Sequence, residues 1–165
     1  MVPAAFMQRL LTLCLTLFLA ACAHTPSSRL PAGKPIGVDD QRRSAVVMSA
    51  LTLLDTPYRY GGREPSTGFD CSGLVHYVFS QESSSPIPRR TSDQASASRR
   101  VSRSQLRPGD LVFFNTLGTP NSHVGIYIGK QQFINAPSSG GRVRIDSLDN
   151  PYFSKRFETA RTFFD

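Results

Sequence analysis

The hydrophobic rhythm of the chain changes twice after residue 38. In "DDQRRSAVVMSALTLL" (39–54), apolar residues recur at helical spacing behind two aspartates suited to N-capping. This predicts a helix to about Leu54 with Ala45, Met48 and Leu51, joined by Val47 and Leu54, on its buried side. Thr56-Pro57 ends it, because the residue before a proline is biased away from helix. "YRYGGREPSTG" reads as an extended segment and a glycine-rich turn. Asp70 then opens a second helix, with Leu74, Val75, Val78 and Phe79 at core spacing, and "SSSPIPRR" breaks it. "TSDQASAS" predicts a short third helix capped by Thr91 or Ser92. From "RPGD" onward the period shortens to that of strands, at 111–114, 123–129, 132–136, 142–146 and 157–164. Helices first and strands afterwards predict one α+β domain over 39–165, its helices packed on an antiparallel sheet of about five strands.

The preceding residues follow another logic. Arg9 leads into "LLTLCLTLFLAAC", an apolar run of signal-peptide length and short for a membrane span. Ala20-Ala21-Cys22 resembles a bacterial lipobox, the rival reading being an ordinary secretory signal with a chance cysteine at its boundary. The resemblance implies a signal peptide over 1–21 and a diacylglycerol thioether on Cys22, with two or three acyl chains for stable anchoring. Residues 22–38, with three prolines and no apolar periodicity, form the lipidated N-terminus and a flexible tether. By resemblance to other lipoproteins, the non-acidic Ala23 implies the outer membrane, facing the periplasm, if the source is Gram-negative.

Export changes the meaning of charge and of cysteine. The formal net charge is +7, and loss of residues 1–21 removes only Arg9. Outside the cytoplasm such a surface does not meet nucleic acid, so its acidic partners are wall peptides and anionic lipid head groups, unless it is simply a solvated face. Of three cysteines, Cys14 leaves with the signal and Cys22 carries lipid, so Cys71 is an unpaired thiol.

Asp70 as N-cap puts Cys71 at the first helical position. The amides and partial positive charge there favour a thiolate, drawing the pKa from about 8.5 towards neutrality. The alternative is a buried structural cysteine, which the polar neighbours Asp70, Ser72 and Gly73 make unattractive. A thiol nucleophile needs a base. His24 lies in the tether, and His76 is five residues along the helix, about 140° round its axis from Cys71. That leaves His123, which shares one face of "HVGIYIG" with Gly125, Tyr127 and Gly129. Those glycines predict open space above the strand for a substrate; the plainer alternative is a surface histidine on a half-exposed strand. A turn near residues 129–131 puts Asn135 opposite or diagonal to His123, where its amide oxygen can orient the imidazole. One cysteine and one histidine fall short of a closed zinc set, so no metal or other cofactor is expected.

"TPYRYGG", "GFDCSGLV", "RPGDLVFF", "HVGIYIG" and "FINAPSSGGRV" stand in the order and spacing of the NlpC-type cell-wall cysteine peptidase family, which the chain resembles over residues 41–164. The resemblance implies a papain-like fold and hydrolysis of amide bonds in peptidoglycan stem peptides, at the γ-D-glutamyl to diamino-acid bond or at a cross-link. It implies Cys71 as nucleophile, His123 as base and Asn135 as third polar residue, where many members carry histidine. It also implies that Tyr58, Asp70 and Ser72 bind the stem peptide. The rival readings are a papain-like acyl or amide transfer enzyme on another envelope substrate, and an inactive lipoprotein that binds wall peptides.

Overall fold

A computed structural model describes residues 35–165; the expected signal peptide over 1–21, Cys22, His24 and nearly all of the expected tether lie outside the described residues. Asp39 caps a 3-10 turn at Asp40–Arg42, accepting from the Gln41 N–H at 2.9 Å, and α1 runs directly on over Arg43–Thr52. Its buried side differs from the expectation. Val46, Ala50 and Leu53 are buried in the core and Leu51 and Leu54 pack against it half-buried, whereas Met48 is 60% exposed and Ala45 and Val47 are half-buried. Apolar residues surround this helix, so its periodicity leaves the phase open; packing against the next helix and the sheet selects it.

A small hairpin follows, β1 (Arg63–Glu64) with β2 (Gly68–Phe69), and then α2 (Cys71–Ser80). Asp70 caps α2 as expected, and Leu74, Val75, Val78 and Phe79 are all buried. Gly73 is required here: a Cβ would collide with the Gly62 carbonyl oxygen, so the glycine lets the Tyr60–Gly62 loop close over the helix start. The third helix, α3 (Thr91–Ser96), starts one residue earlier than its expected caps. Arg90 holds the N-cap position, and no side chain caps the helix.

The sheet has six antiparallel strands in the order β3-β8-β4-β5-β6-β7: β3 Arg99–Val101, β4 Leu111–Phe114, β5 His123–Gly129, β6 Gln132–Asn135, β7 Arg144–Ser147 and β8 Phe157–Thr162. The unexpected strand is β3. Arg99 and Arg100 are exposed on it, a charged edge that protects the sheet but hides the strand from a hydrophobicity reading. A short helix α4 (Pro151–Ser154), capped by Asn150, also went unforeseen.

Both faces of the sheet are covered. Leu111, Phe113, Val124, Ile126 and Ile134 meet α1 and α2, while Val112, Phe114, Tyr127 and Phe133 meet Leu148 and Phe153 of the opposite layer. Edge-on ring pairs join Phe153 to Phe114 and Phe133 at 5.1 and 5.0 Å, each adding about 0.5–1.5 kcal/mol beyond area burial. This second layer overturns the expectation of open space above Gly125. A Cβ on Gly125 would lie 2.5 Å from the Phe133 ring, so that glycine makes room for an aromatic side chain rather than a substrate.

Candidate active site

Cys71 occupies the first turn of α2, where Asp70 satisfies the Gly73 amide at 2.7 Å. It is the free cysteine of the described residues and is half-buried. The backbone of Val124 hydrogen-bonds its sulfur, which places the thiol against β5 one residue from His123. The expected fall in its pKa is not found. Burial pushes the thiol up to about 11, outweighing the hydrogen bonds from Val124, Ser72 and its own backbone. The helix start supplies donors, but desolvation disfavours a lone thiolate more strongly than those donors favour it.

His123 begins β5 and is 7% exposed. It lies beside the rings of Phe114 and Phe153, with centroids 6.1 and 6.2 Å away. Burial lowers its pKa against the opposing effect of its bond to Asn135. The β5–β6 register pairs Ile126 with Ile134, so His123 and Asn135 are diagonal neighbours. Nε2 of His123 and Oδ1 of Asn135 are 2.9 Å apart. Asn135 is fully buried and donates through Nδ2 to Asp146 Oδ2 at 2.9 Å and to the Arg144 carbonyl at 3.3 Å. Amide oxygen therefore faces the imidazole, which must carry its hydrogen on Nε2, leaving the Nδ1 lone pair open.

The three residues expected at the substrate, Tyr58, Asp70 and Ser72, share one groove with Cys71. Tyr58, half-buried, lines it with Asp70 and Ser72, beside Tyr60, Gly61 and Cys71. Asp70 and Ser72 are also bound to neighbouring groups. Asp70 accepts from the Gly61 and Gly73 amides and from both terminal nitrogens of Arg89, at 2.9 and 2.7 Å. Arg89 Nη1 also donates to Ser72 Oγ at 2.9 Å, and Nη2 to the Gly62 carbonyl at 3.1 Å. A second groove opens on the far side of Leu117, lined by Thr116, His123, Ser138, Arg144 and Tyr152. His76 is engaged elsewhere, its Nδ1 2.8 Å from the Ile87 carbonyl oxygen.

Arg89 and Asp146 are the polar residues that sequence reading missed. Arg89 sits in a segment that reads only as a helix breaker. Asp146 was reachable: extending strand pairing one hairpin further sets Asn135 opposite Arg144, with Asp146 two residues along the same face. Among the described residues, no group of three or more metal-ligating side chains gathers.

The model of the NlpC/P60 family matches residues 55–162. The chain belongs to the NlpC/P60 family. The probable endopeptidase NlpC of Escherichia coli K12 is 40% identical over 162 residues, 94% of this chain and 99% of that protein. Murein DD-endopeptidase MepH of the same strain is 39% identical over 125 residues, 73% of this chain but only 46% of its own length. The chain thus spans about half of that larger relative. The crystal structure of the NlpC/P60 domain of the peptidoglycan hydrolase SagA superposes with a TM-score of 0.63 at 37% identity, covering 73% of this chain and 97% of that one. An α+β papain-like fold is the architecture of this NlpC/P60 chain.

Proposed function

We propose that this NlpC/P60 protein is a peptidoglycan endopeptidase of the thiol type, cutting amide bonds in wall stem peptides with Cys71, His123 and Asn135. The observation that carries the chemistry is the buried Asn135–His123 bond, which leaves His123 Nδ1 as an acceptor beside the strand residue whose backbone holds the Cys71 sulfur. The family and the named activities of its relatives supply the substrate class.

Burial opposes separate charges on the thiol and the imidazole, raising the pKa of Cys71 and lowering that of His123. His123 Nδ1 takes the thiol proton as Sγ bonds to the substrate carbonyl carbon. The developing oxyanion meets backbone N–H groups at the start of α2. Collapse breaks the C–N bond, and the imidazolium returns its proton to the leaving amine. Water then adds to the thioester with His123 again accepting a proton, and the acid leaves as the thiol re-forms. Tyr58 lines the groove at the nucleophile. Asp70 and Ser72 support the site by ordering the Gly61–Gly62 loop and the helix start. The bond cut is a γ-D-glutamyl to diamino-acid link or a cross-link.

Residues 1–38 complete this reading: a signal peptide, lipid on Cys22 and a tether would hold the domain over 39–165 in the cell envelope, at the outer membrane. Anchoring raises the effective concentration at the wall without a new contact. Digestion of purified muropeptides with mass spectrometry of the products tests the function. New acid and amine termini are expected. Intact muropeptides refute it, and amide exchange without hydrolysis identifies a transfer enzyme instead.

A further inference from the structure

We infer that Asp146 is a positioning residue that, through Asn135, locks His123 in the tautomer with hydrogen on Nε2 and Nδ1 open. The inference rests on the reading of His123 as base.

An amide and an imidazole do not choose their own polarity. A neutral imidazole nitrogen can donate or accept, and the two ends of an asparagine amide have nearly the same shape. The choice is made at the far end of Asn135. Nδ2 carries two hydrogens and meets two acceptors, Asp146 Oδ2 at 2.9 Å and the Arg144 carbonyl at 3.3 Å. A flipped amide would set Oδ1 against both acceptors in a place where Asn135 has no exposed surface. The wrong tautomer of His123 would then turn an N–H toward the thiol, and neither group could take the other's proton.

Asp146 is itself held. Arg144 Nε donates to the same Oδ2 at 2.8 Å, and Arg144 Nη1 donates to the Ser139 carbonyl at 3.0 Å. Gly140, at φ 92°, passes close over that guanidinium where any Cβ would collide with Nη1. A fixed carboxylate thus fixes the amide, and the amide fixes the imidazole. The backbone carbonyl alone offers a longer bond and leaves one Nδ2 hydrogen unpaired. The negative charge of Asp146 also favours the imidazolium formed during the reaction, with Arg144 opposing it.

The test uses the full mature chain. Asp146→Ala should lower kcat about 10- to 100-fold, the usual cost of losing such an outer partner, with KM within about twofold. Asp146→Asn keeps an oxygen for Nδ2 and should recover most of the loss. In an Asn135→Ala background, Asp146→Ala should cost less than about a further twofold, since its route to the base is gone. Nitrogen-15 NMR of labelled histidine reads the ring without substrate: Nε2–H alone in the wild type, a mixture in Asp146→Ala. Asp146→Leu serves if the alanine variant does not fold. An unchanged ring tautomer in a folded variant, or an equal loss of kcat in the Asn135→Ala background, overturns the inference. Because the NMR readout needs no turnover, it stands apart from any failure of the peptidoglycan reading.

Discussion

Arg89 grips both carboxylate oxygens of Asp70, at 2.9 and 2.7 Å, one residue before Cys71. The carboxylate caps α2, yet its charge raises the pKa of the neighbouring thiol. Arg89 reconciles the two by neutralising the cap. Arg89→Met should therefore slow turnover and lower unfolding stability by about 1–3 kcal/mol, the range for a charged hydrogen-bonded partner. Asp70→Asn in the same background should restore part of the stability. Urea titration of the two single variants and the double would show it; independent, additive losses would mean that the pair is not coupled.

Cys71→Ser and His123→Ala should each reduce hydrolysis by several orders of magnitude while the far-ultraviolet circular dichroism is unchanged, because members of one catalytic unit fail together. His76→Ala should retain near wild-type turnover, its ring being committed to Ile87 on the other side of the helix. Steady-state kinetics on one muropeptide decides the contrast. A silent His123→Ala would remove the assignment of the base.

Asn135→Ala should lose about 10- to 1,000-fold, by comparison with general-base effects of about 10²–10⁴. Asn135→His should stay active, since one ring nitrogen accepts from His123 while the other donates to Asp146. An inactive but folded Asn135→His would count against the orienting role.

The pH dependence follows from two shifts of opposite sign. His123 is lowered from 6.5 by burial, so kcat/KM should fall only as pH drops below that value, and the thiol near 11 puts the alkaline limb far above neutrality. For stability, the unfolded chain binds the histidine proton more readily than the folded one. His123 therefore makes stability decline as pH falls below about 6.5. Cys71, raised in the fold, makes it decline again as pH climbs from 9.0 towards about 11. Unfolding midpoints of the wild type and His123→Gln across pH 5–8 check the acid side; parallel curves would refute it.

Cys22→Ser should release a soluble domain that cleaves isolated muropeptides at the normal rate and acts less selectively on intact wall. Membrane fractionation with a small-substrate assay reads both. Persistent membrane association would refute the lipid anchor.

Residues whose neighbours in sequence are also their neighbours in space were legible from sequence alone. Asp70 and the residues behind it announce α2, because a cap and its helix face are local. Alternation and turn residues delimit β4 and β5 at their observed ends, and the tight β5–β6 turn brings Asn135 within reach of His123 before any tertiary contact is known. Tertiary structure decided what depends on distant chain. It chose the phase of α1, which is apolar on too many sides to choose for itself, and recruited Arg99–Val101 as an edge strand through pairing with β8. It brought Phe133 over Gly125 and Phe153 over the far face, burying a strand that reads as half-exposed. The same enclosure reversed the expected shift of Cys71: a helix start acts on a thiol locally, but desolvation sums every atom packed around it, and the sequence does not name those atoms in advance.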